Sequence, residues 1–123
     1  MNNTIKKTVV LGASDSPMRY SFLAVRRLKS YDHPVVAIGK KTGVIDDTQI
    51  ITEHPLLEDV DTVTLYLNPA HQKQYYDYIL SLKPKRIIFN PGAENTELAT
   101  LAKQNGIQPM NACTLVMLGT GQY

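Results

Sequence analysis

Short apolar runs alternate along the chain with longer segments in which apolar residues recur every three or four positions. Four of the runs are rich in β-branched residues and bounded by glycine, proline or charged residues: Thr8–Leu11, Val35–Ile38, 62–67 and Arg86–Phe89. Continuous apolar runs of this length are typical of strands covered on both faces, as in a parallel sheet. Residues 107–110 form a weaker candidate strand, which Pro109 restricts to a sheet edge because proline cannot donate to a ladder.

The segments between these runs carry helical periodicity and helix start signals. The first predicted helix starts either at Ser16, with Pro17 in its first position, or later, near Tyr20. Asn68 and Pro69 form a second pair of cap and proline, which is followed by apolar residues at helical spacing. Both signals place the start of a helix shortly after a strand.

The third predicted helix spans residues 94–104 and ends at an Asn-Gly pair, which is a common C-terminal stop. The segment between residues 40 and 60 is less regular. Residues 50–51 suggest a short edge strand there, and residues 55–58 suggest a single helical turn.

The alternation of strand and helix predicts an α/β fold: a doubly wound, mostly parallel sheet of about five strands, flanked by helices in three layers. A length of 123 residues fits one domain spanning residues 1–123. Ligands of such folds lie at the carboxyl ends of the strands, near the switch in strand order. The segments directly after the strands are therefore where we expect the chemistry.

Bulk composition narrows the classes of function. A net charge of +2 is too small to indicate nucleic-acid binding. Cys113 is the sole cysteine, which excludes an intramolecular disulfide and fits a reducing cytoplasm. The first seven residues lack the apolar run of a signal peptide, and no stretch is long and apolar enough to span a membrane. We therefore expect a cytoplasmic protein that has no membrane partner.

The segment after the first strand combines a glycine, serines and an arginine. Gly12 has no side chain to hold a ligand away from the backbone, and the amides from Ala13 to Ser16 can face an anion. Ser14 and Ser16 add hydroxyl donors, and Arg19 adds a guanidinium matched to phosphate. The alternative is an ordinary strand-to-helix turn, since only the first glycine of the dinucleotide fingerprint is present.

The second strand ends at Gly39, which is followed by Lys40 and Lys41. NAD-binding folds carry an acidic residue here to hold the ribose diol, whereas a cation favours a phosphorylated ribose. NADP and coenzyme A (CoA) both carry such a ribose. The alternative is a solvated lysine pair on a loop.

The fourth strand is followed by Asn90, Pro91 and Gly92, and the glycine allows close approach of a ligand. Glu94 is expected in the first turn of the next helix, so a tight turn with an acidic helix start is an equal alternative. The three histidines have no neighbouring partner that suggests a catalytic pair, and no histidine or cysteine cluster has metal-ligand spacing. We predict neither catalytic residues nor a metal site.

Three segments resemble the small bacterial CoA-binding proteins, which are stand-alone relatives of the N-terminal domain of the succinyl-CoA synthetase α subunit. The segments are Val-Leu-Gly-Ala-Ser at 10–14, Tyr-Ser-Phe-Leu-Ala-Val at 20–25 and Phe-Asn-Pro-Gly-Ala-Glu-Asn at 89–95. The resemblance covers nearly the whole chain, from Lys7 to Cys113. It implies a Rossmann-like fold that binds CoA.

The resemblance also implies which residues contact the ligand. The first loop and the loop after the second strand would hold the nucleotide and its phosphates, through Gly12, Ala13, Ser14, Ser16, Arg19, Gly39, Lys40 and Lys41. Asn68 and Pro69 would flank the pantetheine, and Asn90, Pro91 and Gly92 would close the far side. Many relatives carry Asn-Pro after the second strand, where this chain has Gly-Lys, so the contacts of adenine and ribose do not carry over directly.

The leading hypothesis is non-catalytic binding of CoA or an acyl-CoA. An NADP-dependent oxidoreductase is one alternative, although the chain has no room for a second, catalytic domain. A module that senses a nucleotide and docks on a protein partner is another. Self-association into a homo-oligomer is compatible with a small domain of this kind.

Overall fold

Seven strands form one sheet in the computed structural model, which describes residues 4–123. The strands are β1 (Thr8–Leu11), β2 (Val35–Ile38), β3 (Gly43–Ile45), β4 (Thr48–Ile51), β5 (Thr62–Leu65), β6 (Arg86–Phe89) and β7 (Gln108–Asn111). The helices are α1 (Tyr20–Ser30), α2 (Pro69–Gln72), α3 (Tyr76–Ser81), α4 (Thr96–Gln104) and α5 (Thr114–Gly119), with a 3₁₀ turn at Lys73–Tyr75. Residues 1–3 lie outside the described residues. They belong to the predicted domain 1–123 and to the N-terminal segment that lacks a signal-peptide pattern.

The sheet has the order β3-β4-β2-β1-β5-β6-β7. Every neighbouring pair is parallel except β3 and β4, which are antiparallel. β1 lies between β2 and β5, so the chain builds one half of the sheet first and then returns to build the other. This confirms the doubly wound, mostly parallel fold and places the switch in strand order beside the carboxyl end of β1. Among the described residues β7 pairs with β6 alone, as Pro109 predicted for an edge strand.

The prediction of about five strands was too low, because the irregular segment after β2 folds into the hairpin β3–β4. In this hairpin Ile45 and Ile50 are buried while Val44 and Gln49 face solvent. Such alternation is the pattern of a strand buried on one face, and each strand is too short to show it clearly in the sequence. The edge position predicted for residues 50–51 was wrong, since β4 pairs with both β2 and β3.

Apolar side chains fill both faces of the sheet. One face packs against α3 and α4 and buries Val9, Leu11, Val63, Leu65, Ile87, Phe89, Ile79, Leu98 and Ala102. The other face packs against α1 and α5 and buries Val10, Ala37, Ile50, Phe22, Val25, Leu28 and Leu118. Burial of each large apolar side chain stabilises the fold by about 1.5–3 kcal/mol. The predicted three-layer arrangement is confirmed.

The first helix takes the later of its two predicted starts. Ser16 and Pro17 belong to a separate turn in which Arg19 N donates to Ser16 O (3.0 Å), and α1 begins after it, at Tyr20. Proline is favoured in the second position of such a turn, so the same residue that suggested a helix start fits a turn equally well. The result is a longer loop between β1 and α1.

The other helix starts are set by asparagine caps. α2 begins at Pro69 with the side chain of Asn68 as its cap, as predicted. α4 begins at Thr96 rather than at Glu94, and the side chain of Asn95 caps it. The Asn-Gly pair ends α4 as predicted, whereas residues 55–58 form no helical turn and α5 was not predicted. Among the described residues, no helix is long and apolar enough to cross a membrane.

Candidate functional site

Two cavities adjoin at the carboxyl edge of the sheet, beside the switch in strand order. Their volumes are 530 Å³ and 350 Å³. Both are lined by Gly12, Ser14, Arg19, Tyr66, Leu67 and Asn68. The first extends to Lys40 and Lys41, and the second extends to Pro91 and Gly92. Together they form one groove across the ends of β2, β1, β5 and β6, which we call the carboxyl-edge groove.

Gly12 forms the floor of this groove at the end of β1. Its φ is +92°, a backbone conformation that side-chain-bearing residues rarely adopt. A Cβ at this position would lie 3.0 Å from the backbone carbonyl carbon of Tyr66 and 3.1 Å from the side chain of Leu67. Glycine therefore lets the β1 turn pass directly against the end of β5.

The amides of the β1 turn divide into two sets. Ala13 N donates to Ile38 O (3.0 Å), and Ser16 N donates to Ser14 Oγ (3.1 Å), so both are satisfied by the loop itself. The amides of Ser14 and Asp15 donate no hydrogen bond within residues 4–123. Two of the four predicted amides are thus left for an anion, and Ser16 lines neither cavity.

Gly39 has a packing function rather than a place in the groove. It is buried, and a Cβ there would lie 2.4 Å from Ala13 O. Its amide donates to Ile51 O (3.0 Å). The absence of a side chain at Gly39 therefore lets the end of β2 close against the β1 turn, and the two lysines follow at the rim.

Three cations line the first cavity: Arg19, Lys40 and Lys41. All are exposed, and none forms an ion pair among the described residues, whose four ion pairs lie elsewhere. Asp15 lines the same cavity and is likewise outside those pairs. The basic rim predicted from the sequence is therefore present, and its charges have no internal partner in that part of the chain.

The loop between β5 and α2 forms the middle of the groove. Asn68 Oδ1 accepts from His71 N (3.1 Å), which fixes the side chain as a helix cap. Pro69 lies in the first turn of α2 and lines neither cavity, whereas Tyr66 lines both. Burial raises the pKa of the Tyr66 phenol above its ordinary value, so Tyr66 lines the groove as a neutral residue.

The far wall follows β6. Pro91 and Gly92 line the second cavity, and Gly92 N donates to Glu94 Oε1 (2.9 Å). Gly92 has a φ of +92°, and nothing lies within 4 Å of an added Cβ. The backbone conformation alone therefore explains glycine here, and the space above it stays open toward the groove.

Asn90 was predicted beside these residues but lies beneath the groove instead. Its side chain is buried, and Nδ2 donates to Thr64 Oγ1 (2.6 Å) and Leu65 O (2.9 Å). Oδ1 accepts from Thr114 N (2.9 Å). Asn90 thus joins the ends of β5 and β6 to the start of α5 and lines neither cavity.

Sequence reasoning missed Gln72, which holds the middle loop and the far wall together. The side chain is fully buried, and Nε2 donates to Leu67 O (2.8 Å) and Ala93 O (2.7 Å). Its Oε1 accepts from Asn95 Nδ2 (2.9 Å). A detectable signal existed, because Gln72 is a polar residue on the buried stripe that continues through Tyr75.

The remaining reactive side chains are dispersed. His71 lines the groove, whereas His33 is buried at the amino ends of the strands. His54 stacks on Tyr78 with 5.0 Å between ring centroids. Cys113 is half-buried and lines neither cavity. Among the described residues, no two titratable side chains of the groove are hydrogen-bonded to each other.

The sheet order and the groove at its switch point define a Rossmann-like α/β protein. Residues 6–119 match the family model described as a CoA binding domain, so the chain belongs to this family. A comparison with curated proteins gave no match.

Solved structures support the same fold. A crystal structure of an uncharacterized protein shares 52% sequence identity and a TM-score of 0.95, over 98% of this chain and 99% of that one. A hypothetical protein from Pyrococcus horikoshii OT3 has a TM-score of 0.85 at 19% identity, over 94% of this chain and 83% of that one. A structure from Thermus thermophilus, described as cell-free ID.343, also has a TM-score of 0.85 at 19% identity, with full coverage (100%) of both chains.

Proposed function

We propose that this protein binds CoA or an acyl-CoA in the carboxyl-edge groove and catalyses no reaction on it. The observation that carries the proposal is a set of three cations, Arg19, Lys40 and Lys41, which line one groove and form no ion pair among residues 4–123, in a member of the CoA-binding domain family. Proteins bind phosphate-rich ligands through charge-assisted hydrogen bonds. A cation without an internal ion pair can form such a bond without first giving up another partner.

The groove suggests a direction for the ligand. In our proposal the phosphorylated ribose lies at Lys40 and Lys41, and the pyrophosphate lies at Arg19 and the two available amides of the β1 turn. The pantetheine then passes Tyr66 toward Gly92, at the end of the groove away from the two lysines. Asn68, with its side chain fixed as a cap, would contribute to the wall between these halves.

The absence of a chemical step is also part of the proposal. A nucleophile or general base needs a hydrogen-bonded partner that activates or orients it. Within residues 4–123 the titratable groups of the groove lack such pairing, which supports binding rather than catalysis.

A calorimetric titration tests the proposal. We expect CoA to bind wild-type protein and 3′-dephospho-CoA to bind about tenfold more weakly, because charge-assisted contacts to the 3′-phosphate are lost. The variant Lys40→Ala with Lys41→Ala should bind both ligands with the same affinity. A matched control is Lys73→Ala with Lys103→Ala, which removes two exposed lysines outside the groove.

The outcomes separate the parts of the proposal. No heat with either CoA or acetyl-CoA would show that the groove is not a CoA site. Equal affinities of wild-type protein for CoA and 3′-dephospho-CoA would retain the CoA site and reject the role of the lysines.

A further inference from the structure

The first cavity of the groove contains one carboxylate, which the proposed binding of phosphates does not explain. Among the described residues that line it, Asp15 is the sole acidic side chain beside Arg19, Lys40 and Lys41. Its carboxylate forms no ion pair with them and no hydrogen bond within residues 4–123. A carboxylate at a phosphate site repels the ligand unless it accepts a hydrogen bond from a donor on that ligand.

The carboxylate of Asp15 lies close to the backbone of the edge strand β3. A Cβ added to Gly43 would lie 2.7 Å from Asp15 Oδ2 and 3.1 Å from Asp15 Cγ. Gly43 does not have a positive φ, so its backbone conformation does not require glycine. The side chain of Asp15 therefore lies directly against the backbone of β3 at Gly43, in space that a side chain at residue 43 would need.

We propose that Asp15 accepts a hydrogen bond from the ribose 2′-hydroxyl of the ligand and thereby selects a 3′-phosphorylated ribose over a 2′-phosphorylated one. The inference rests on the proposed function, because it takes the 3′-phosphate of CoA to lie at Lys40 and Lys41. The neighbouring position on such a ribose is then a hydroxyl, which donates to a carboxylate. A nucleotide of the NADP type would instead bring a 2′-phosphate dianion against Asp15.

Two isomeric probes test this selection directly. Adenosine 3′,5′-bisphosphate and adenosine 2′,5′-bisphosphate carry the same groups and differ only in where the second ribose phosphate lies. We expect wild-type protein to bind the 3′,5′ isomer about tenfold more tightly, as loss of one hydrogen bond to a charged group predicts. In Asp15→Asn the preference should fall to about threefold or less, chiefly because the 2′,5′ isomer binds better.

A matched control is Asp77→Asn, which removes an exposed carboxylate on α3 that lines neither cavity. It should keep the wild-type preference between the isomers. Equal binding of the two isomers to wild-type protein, or an unchanged preference in Asp15→Asn, would overturn the inference while CoA still binds. Absence of CoA binding to wild-type protein would overturn the proposed function and this inference together.

A second variant moves the carboxylate without changing any charge. Gly43→Ala should push Asp15 away from its present position and lower the isomer preference, with CoA binding retained. Gly119→Ala is the control, because an added Cβ there has nothing within 4 Å and no positive φ to oppose it. An unchanged preference in Gly43→Ala would overturn the positioning of Asp15 by β3.

Discussion

Basic side chains occupy both edges of the sheet, but their surroundings differ. At the amino edge, Arg86 Nε donates to Thr62 Oγ1 (2.8 Å), and its guanidinium carbon lies 4.4 Å from the ring centroid of Tyr123. Beside them, His33 Nδ1 accepts from Lys6 N (3.0 Å). We call Lys6, His33, Arg86 and Tyr123 the amino-edge cluster. At the carboxyl edge, the three cations of the groove have no such partners among the residues that the structure describes.

The carboxyl edge is instead held together by neutral amides. Gln72 joins the loop after β5 to the far wall, Asn90 joins β5, β6 and α5, and Asn95 caps α4. A cation that is already paired must give up its partner before it can bind a ligand, and that exchange weakens binding. The two ends of the sheet therefore differ in whether their basic side chains form internal contacts among residues 4–123, and the groove proposed to bind a ligand lies at the end where they form none.

The largest effect expected from this comparison follows from removing a neutral amide. Gln72→Leu keeps the size of the side chain but leaves the buried acceptor Ala93 O and the half-buried acceptor Leu67 O without their donor. Each buried unsatisfied acceptor costs about 1–3 kcal/mol, so we expect a loss of about 2–4 kcal/mol in the free energy of unfolding. Urea unfolding measures this loss, and the CoA affinity should fall as well because both loops line the groove.

The control for this variant is Gln74→Leu, two residues further along the chain and exposed to solvent. It should change the free energy of unfolding by less than about 0.5 kcal/mol. If the two leucine variants were equally stable, the amide network would not be what holds the walls of the groove.

The parts of the fold that were predicted correctly rest on strong local patterns. β1, β2 and β6 are continuous apolar runs that end at a glycine or a polar residue, and their predicted bounds match the structure. The strand predicted over residues 62–67 ends at Leu65, because Tyr66 and Leu67 leave the sheet to line the groove. Strand β3 and helix α5 were not predicted, and β4 was predicted only at residues 50–51, because each element is too short to show a hydrophobic period of its own.

For the groove, residue type predicted the location better than it predicted the role. Gly12, Arg19 and the lysine pair do lie together, because parallel strands bring their carboxyl ends to one edge. Asn90 and Gly39 lie at the same carboxyl edge but are buried, and the residues that they contact are distant in sequence. Whether a polar side chain faces a ligand or a buried carbonyl depends on such long-range contacts, and a single sequence does not display them.

At the amino edge, protonation of His33 should weaken the fold. Burial lowers the pKa of His33 below its ordinary value, and nearby Lys6 and Arg86 lower it further, against a smaller opposing effect of Asp61 and Asp32. The unfolded state therefore takes up this proton more readily than the folded state does. The free energy of unfolding should fall as the pH drops below the ordinary histidine pKa of about 6.5.

Urea unfolding at several values between about pH 7.5 and about pH 5.5 measures this dependence. His33→Asn keeps an acceptor for Lys6 N but cannot take up a proton, so its stability should fall less steeply over the same range. His71→Asn, a change at an exposed histidine of the groove, should keep the wild-type steepness. Parallel curves for wild type and His33→Asn would show that the amino-edge cluster tolerates the extra charge.

The smallest effect on stability is expected where the effect on binding is greatest. Lys40→Ala with Lys41→Ala should change the free energy of unfolding by less than about 0.5 kcal/mol, because both side chains are exposed and lack an ion pair among the described residues. Lys6→Ala at the amino edge should cost more, since Lys6 Nζ donates to Tyr123 O. Urea unfolding without ligand compares the stability of the variants. In a separate measurement, the affinity of wild-type protein for CoA should weaken with added salt, because the salt screens the charges of the exposed lysines. A loss of stability in the lysine pair as large as that of Gln72→Leu would mean that these cations hold the loop after β2, and the contrast between the two edges would fail.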